Sequence, residues 1–334
     1  MLAVLLLKPE TVPLTSISKF ANMIKDSVTF QTVDESSEGQ RIDNFLVKLL
    51  KGVPKSHIYR IVRSGEVRVN SCRIDTVYRL CLGDIVRIPP VWCNPVSIPL
   101  PARFSDCDVR IIYEDNAILV MDKPSGLAVH GGSGLSYGLI EQMRALRPHA
   151  KFLELVHRLD RETSGLLILA KKRSALVALH EAMRSGRVGK FYLALVRGSI
   201  SKEHFEVNAP LKKYSLTSGE RRVRVDVDGL DSKTIFVRKA VSDEFTLLEA
   251  QLKTGRTHQI RVHLTHLGYP IAGDDKYGDY SYNAGLVKLG LKRMFLHART
   301  LVLDHPLTGE KLRFDASLPV DLEKFYDSIF LRNS

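Results

Sequence analysis

Five prolines, at positions 89, 90, 95, 99 and 101, fall within thirteen residues and divide the chain. Proline fixes its own φ and has no amide hydrogen to give to a helix or a central strand. Residues 93–108 are therefore expected to form an extended, fairly stiff linker. It separates an N-terminal extension and small domain (1–33 and 34–92) from a large domain (109–334). Two domains suit 334 residues, at about 100–200 residues each.

The small domain is basic. Residues 41–90 hold ten Lys and Arg against four acids, half of the chain's net charge of +12. Ile42, Phe45, Leu46, Leu49 and Leu50 recur at helical spacing, and Gly52 and Pro54 stop that helix. A second helix, from Lys55 to Ser64, would bury Ile58, Ile61 and Val62 and leave Lys55, Arg60 and Arg63 facing outward. Gly65 ends it; Val67 and Val69 then alternate like a strand, with Arg68 between them, and Ile85–Ile88 forms another. Such a face collects polyanions by releasing their counterions, which makes nucleic acid a candidate partner. A charge cluster taken alone reads more readily as a solvated surface.

Other classes are poorly supported. No stretch approaches the roughly 18 apolar residues that cross a bilayer. Met1–Leu7 is apolar, but without a basic leader and with Lys8-Pro9 following, it reads as an extension rather than a signal peptide. Cys72, Cys81, Cys93 and Cys107 contain no C-x-x-C pair, so scattered reduced thiols in a cytoplasmic protein are expected.

In the large domain, Ala117–Met121, Gly165–Ala170, Phe191–Val196 and Phe245–Ala250 read as strands. Leu139–Leu146, Ser174–Ser185 and Thr257–Leu267 read as helices. Several strands follow one another between 191 and 250 with no helix between them. The fold class is therefore α+β, with a mixed, largely antiparallel sheet, behind a small module of two helices and short strands.

Three stretches could carry chemistry. In His157-Arg-Leu-Asp160-Arg-Glu-Thr-Ser-Gly165 a carboxylate precedes a buried run, and its two neighbouring arginines favour the ionised form. That suits a nucleophile or general base, although a single loop aspartate is more often a turn cap or an ion-pair partner. In Thr254-Gly-Arg-Thr-His-Gln-Ile-Arg261-Val-His263, Thr257 would cap a helix that buries Ile260, Leu264 and Leu267. Arg261 would then lie in its first turn, able to reach a carboxylate or phosphate. Tyr192, beside Lys190 at the start of a strand, could stack on a base, although taken alone it reads as core.

Two further patterns are weaker. His258, His263 and His266 are spaced H-x4-H-x2-H, which matches no common zinc pattern, so no metal is expected. His130-Gly-Gly-Ser-Gly134 follows a strand but matches neither G-x-G-x-x-G nor G-x-x-x-x-G-K-[ST]. Its backbone could approach an RNA phosphate, or it could be only a turn.

Together these stretches resemble the RluA/RluC/RluD family of pseudouridine synthases. His157–Lys171 resembles the family's signature, Lys123-Pro-Ser-Gly-Leu-Ala-Val-His130-Gly-Gly its preceding block, and Gly255–His263 with Gly268-Tyr-Pro-Ile-Ala-Gly-Asp274 its third. The resemblance covers essentially all of residues 109–315. Residues 41–90 resemble an RNA-binding module first described in a small-subunit ribosomal protein. Within the family, Lys51–Asn70 and Gly131–Tyr137 resemble most the member that acts on several uridines of large-subunit (23S) ribosomal RNA. The resemblance implies Asp160 as catalytic carboxylate, Tyr192 packed on the target base, Arg261 paired with the aspartate, and Arg158 entering the RNA stack when the base leaves. Lys55, Arg60, Arg63, Arg68 and His130 are the expected RNA contacts. The reaction rearranges atoms without loss, so no cofactor is implied, nor an obligate protein partner or a membrane; a monomer is the default expectation.

Two other classes compete with this reading. A ribosome-assembly RNA binder with a decayed catalytic fold would not need Asp160, Tyr192 and Arg261 all intact. A two-carboxylate hydrolase such as a glycosidase needs a second acid about 5–10 Å from the first, and only Glu162 lies near Asp160 in sequence.

Overall fold

The computed structural model describes residues 27–50, 52–91, 109–131 and 137–331. Residues 93–108, Cys93 and Cys107 among them, Gly132–Gly134 and most of the N-terminal extension lie outside the described residues. The chain divides into two units between Ala102 and Arg103.

The first unit contains β1 (Thr29–Thr32), α1 (Ile42–Leu49), α2 (Lys55–Arg63), β2 (Arg68–Val69), β3 (Cys72–Arg73) and β4 (Ile85–Ile88). Its antiparallel sheet runs β1-β4-β2-β3. Ile42, Phe45, Leu46 and Leu50 from the first apolar stripe, with Ile58, Ile61 and Val62 from the second, close one core with Val67, Val69, Val86 and Ile88. Because the apolar half of each helix turns inward, Lys55, Arg60 and Arg63 are exposed, and Arg68 on β2 is exposed between the buried Val67 and Val69. The sheet reaches into the stretch read as an extension, since Thr29–Thr32 pairs with Ile85–Ile88. Cys72 and Cys81 are exposed free thiols.

The second unit runs β5 (Arg110–Glu114), β6 (Ile118–Lys123), α3 (Leu139–Leu146), β7 (Glu154–Leu155), β8 (Ser164–Ala170), α4 (Arg173–Arg184) and β9 (Gly189–Arg197). There follow β10 (His204–Asn208), β11 (Leu211–Ser215), β12 (Arg221–Val225), β13 (Lys233–Val241), β14 (Phe245–Leu252), α5 (Gln259–His266), α6 (Tyr280–Lys288), β15 (Leu296–Asp304), β16 (Lys311–Asp315) and α7 (Val320–Phe330). Ten strands form one sheet whose main path is β10-β13-β14-β9-β15-β8-β6-β5, with β16 beside β15 and β7 beside β8. Every pairing in it is antiparallel except that of β8 with β15, where Ala298 lies opposite Gly165. β11 and β12 form a separate ribbon.

Both faces of the sheet are covered. Leu167 and Leu169 of β8 share a core with Leu139 and Met143 of α3 and Ile260 and Leu264 of α5. Leu166, Ile168 and Ala170 face the other way and pack with Ala175 and Leu179 of α4. Leu193 and Leu195 of β9 meet Leu286 of α6 and Leu322 and Phe325 of α7. A strand covered on both faces needs apolar residues at consecutive positions, which is why Gly165–Ala170 reads as an unbroken run. Among the described residues no helix is long and apolar enough to cross a membrane.

Candidate active site

Asp160 lies in the loop between β7 and β8. Leu159, 4 % exposed, anchors that loop in the core, and the Thr163 amide donates to the Asp160 carbonyl at 3.2 Å. The turn after β6 holds the far side. The Gly126 amide donates to the Arg161 carbonyl at 2.9 Å, Arg161 Nε donates back to the Gly126 carbonyl at 3.1 Å, and Ser125 Oγ donates to the Glu162 carbonyl at 2.7 Å. The buried Lys123 ammonium donates to the carbonyls of Pro124, Leu127 and Arg161 at 2.8, 2.9 and 3.0 Å. Two motifs 35 residues apart are thereby fixed together. Gly165 lets β8 begin at this point: its φ is +112°, and a Cβ there would collide with the Ala298 carbonyl across the parallel junction.

Arg261 comes from α5. Thr257 does not cap this helix; His258 occupies the N-cap position with left-handed φ 54° and ψ 22°, and its side chain makes no capping bond. Gln259 secures the helix start instead. Its Oε1 accepts from Thr254 Oγ1 at 2.7 Å and from the Arg256 amide at 3.0 Å, and its Nε2 donates to the Lys233 carbonyl at 3.0 Å. Ile260 and Leu264 are buried as expected, whereas Leu267 is 40 % exposed because the helix has already ended at His266.

The Arg261 side chain is only 5 % exposed, so it is no surface cation. Its Nε and Nη2 donate to Asp274 at 2.7 and 2.6 Å, and its Nη1 donates to Asp160 Oδ2 at 3.3 Å. Asp274 is fully buried and also accepts from the Lys276 and Tyr277 amides at 2.9 and 3.0 Å. Burial opposes the arginine's charge, but its bonds to Asp274 and Asp160 outweigh that and raise its pKa.

The other Asp160 oxygen, Oδ1, faces His258 Nε2 at 3.8 Å. His258 Nδ1 lies 2.8 Å from Tyr277 Oη, which also accepts from the Val223 amide at 2.9 Å. With that acceptor role taken, the tyrosine proton is assigned to His258 Nδ1, leaving Nε2–H turned toward the carboxylate. Burial lowers the His258 pKa and pushes that of Tyr277 up to about 12, so both are neutral at pH 7.

These groups open onto a cavity of about 440 Å³, within the range of small-ligand sites. Its lining contains the cations Arg158, Arg184, Lys190, Lys253, Arg256 and Arg261, and a single carboxylate, Asp160. Tyr192, 7 % exposed, lies on β9 opposite Ala250 of β14 and Ala298 of β15, so it belongs to the core and to the cavity at once. Burial, and then the charge of Asp160, raise its pKa and keep the hydroxyl protonated. Arg158 is exposed on the lining.

The fold brings Asp160, Tyr192, Arg261 and Arg158 together. His130 is exposed and is not among the residues that line the cavity, and Lys55, Arg60, Arg63 and Arg68 belong to the other unit. The amides of Gly131 and Gly138 both donate to Glu141 Oε2, at 3.2 and 2.8 Å, which secures the start of α3. The three histidines of α5 diverge: His258 faces Tyr277, His266 is exposed, and His263 is buried against Ser232, Thr234 and the Ala209 carbonyl. Among the described residues no cluster of His, Cys, Asp and Glu could hold a metal.

Four residues that sequence reasoning left without a role complete the site: Asp274, Tyr277, Lys123 and Lys190. Asp274 and Lys123 stand inside the quoted motifs, so the signal was present for them. Among the described residues, no second carboxylate lines the cavity beside Asp160. Asp274 is fully buried and bound to the guanidinium that also holds Asp160, and Glu162 pairs with Arg161 at 3.4 Å.

A single arginine-held carboxylate, with six cations and a buried tyrosine around one cavity, fits an enzyme that acts on a polyanion. The family described as RNA pseudouridylate synthase matches residues 117–266, and the S4 domain matches residues 40–86. The chain belongs to the RluA-type family of RNA pseudouridine synthases. It is 52 % identical over 316 residues to the ribosomal large subunit pseudouridine synthase C of Pasteurella multocida, covering 93 % of this chain and 97 % of that protein. To the enzyme of the same name from Escherichia coli K12 it is 53 % identical over 305 residues, covering 89 % and 95 %. Among solved structures, human RNA pseudouridylate synthase domain containing 4 superposes with a TM-score of 0.53 at 30 % identity, covering 65 % of this chain and 91 % of that one.

Proposed function

We propose that this protein isomerises particular uridines of large-subunit ribosomal RNA to pseudouridine, with Asp160 as the carboxylate that acts on the ribose. The observation that carries this reading is the pairing of Asp160 Oδ2 with the buried Arg261 in a cavity where six cations stand beside that one carboxylate. The relatives named for the ribosomal large subunit support the choice of RNA.

The bond to be cut joins ribose C1′ to uracil N1, and the base is rejoined through C5. A stacked base cannot be reached, so the target nucleotide leaves its stack at a cost of about a few kcal/mol; Arg158, exposed on the lining, fills the gap. Tyr192 packs on the extruded base. Asp160 then attacks C1′ or removes a proton from C2′, and both routes use the oxygen that Arg261 leaves free. Arg261 holds the carboxylate in position. Lys55, Arg60, Arg63 and Arg68 of the first unit grip phosphates of the same RNA. The enzyme acts in the cytoplasm as a monomer, with RNA as its partner.

The test uses purified protein and unmodified large-subunit ribosomal RNA with nothing else added, and maps pseudouridine by carbodiimide labelling and primer extension. New stops at a few discrete uridines, absent with Asp160→Asn, are expected. Stops that persist at wild-type rate in that variant remove Asp160 from its role. Tight binding without any stops favours an RNA-binding assembly factor.

A further inference from the structure

Lys190 precedes Tyr192 by two residues on β9, so the two side chains leave the strand on the same face, and both line the Asp160 cavity. Lys190 is only 8 % exposed. A Cβ on Gly255, also in the lining, would lie 3.6 Å from Lys190 Nζ, which fixes the ammonium at the cavity wall. Among the described residues the side chain makes no ion pair and no hydrogen bond. The one carboxylate of the lining is engaged by Arg261. Burial alone lowers the lysine's pKa, with no acid offsetting it.

The other lining cations differ in kind. Arg158, Arg184, Lys253 and Arg256 are exposed, as suits groups that meet phosphates. A buried ammonium without a counter-charge is costly to keep. It earns a place where negative charge arises inside the cavity during the reaction, since a preoriented cation is most effective in a site that excludes water.

Resting on the reading above, such a charge appears when the N1–C1′ bond breaks. The electron pair stays on N1, and uracil leaves as an anion whose charge spreads to its two carbonyl oxygens. We propose that Lys190 is a catalytic residue that stabilises this uracil anion between cleavage at N1 and bond formation at C5. On the ribose side, Asp160 has either bonded to C1′ or taken a proton from C2′. In the return step C5 supplies the pair that bonds to C1′, and Asp160 departs as carboxylate or gives its proton back to C2′. C5 then loses its proton and N1 gains one, so composition is unchanged. Lys190 keeps its protons throughout.

The experiment compares wild type with Lys190→Met, Lys190→Gln and Lys190→Arg in single-turnover assays, using large-subunit RNA transcripts with tritium at uridine C5. RNA affinity is measured in parallel by filter binding. Loss of charge in Met and Gln should slow turnover by about 10²–10³-fold with affinity within about twofold of wild type, while Arg recovers at least tenfold of the loss. The defect should shrink in transcripts carrying 5-fluorouridine, whose base is a better leaving anion, with rearranged nucleoside read by mass spectrometry. Lys190→Met should also melt higher than wild type, where a merely structural lysine would give a lower melting point. Wild-type turnover in Met and Gln, or a defect confined to affinity, overturns the assignment and makes Lys190 a phosphate anchor. Failure of the wild type itself to form pseudouridine would instead sink the functional reading on which the proposal rests.

Discussion

Arg261 and Asp274 form a two-point pair, Nε and Nη2 donating at 2.7 and 2.6 Å, whereas Arg261 meets Asp160 only once, at 3.3 Å. The guanidinium is therefore oriented by Asp274, and Asp160 receives the donor that remains. Asp274→Asn removes the charge and one of the two acceptors from a fully buried position. Breaking a buried pair on one side costs about 3–5 kcal/mol, so the melting temperature should fall by several degrees. Turnover should fall about a hundredfold or more, with little change in RNA affinity, because Asp274 does not reach the cavity. Wild-type turnover in a folded Asp274→Asn protein would show that Arg261 needs no second carboxylate.

Gly165 is the one residue of β8 whose backbone no side chain tolerates. Alanine there meets both an unfavourable φ of +112° and the Ala298 carbonyl. Gly165→Ala should cost roughly 2–4 kcal/mol and open the β8–β15 junction. Urea denaturation measures the loss, and a midpoint equal to wild type would contradict the geometry.

His297 is fully buried, with Nδ1 3.0 Å from Ser164 Oγ and Nε2 3.3 Å from the Ala316 carbonyl. Arg293 Nη1 donates to the same serine oxygen at 3.2 Å, so Ser164 gives its proton to a neutral imidazole. Burial lowers the His297 pKa from 6.5 to about 4. Between those values the unfolded chain binds the extra proton and the folded one does not. Stability is thus full above pH 6.5 and falls as the pH drops toward 4, by about 3 kcal/mol in all. Calorimetry from pH 7 to pH 4 should show this slope, and His297→Gln should reduce it, leaving the share of His157, whose pKa burial also lowers, to about 3.

Lys55 and Arg63 are exposed on α2, and neither makes an ion pair among the described residues. If they grip RNA phosphates, each alanine replacement should reduce the slope of log affinity against log salt by about 0.7–0.9. Turnover at saturating RNA should not change. An unchanged slope would leave the basic face as solvated surface.

The elements that bury one clear stripe were legible in the sequence. Leu139–Leu146 and Ile85–Ile88 appear as read, and the uninterrupted run at Gly165–Ala170 announced a strand covered on both faces. Asp160, Arg261 and Tyr192, expected together from the motifs, line one cavity. The sequence points to Thr257 at the start of α5 because threonine is a standard cap, whereas Gln259, which is not one, secures that start. β15 escaped notice because His297, Arg299 and Thr300 interrupt its apolar residues; His297 is tolerated inside only because Ser164 and Ala316 satisfy both nitrogens. Lys190 could not be recognised from spacing at all, since its significance lies in the absence of a nearby acid in three dimensions.

β15 lies between β8 and β9, which follow one another in sequence but are never neighbours in the sheet. The strand that joins them is made more than a hundred residues after β8. During synthesis, the Asp160 loop and the Tyr192 strand must wait as two separate halves until residues 296–304 have left the ribosome. Long-range closure of this kind is slow compared with local pairing. The Asp160 cavity is thus completed last, so a nascent chain or one truncated before β15 could display its basic first unit to RNA but would have no assembled cavity to bring to it.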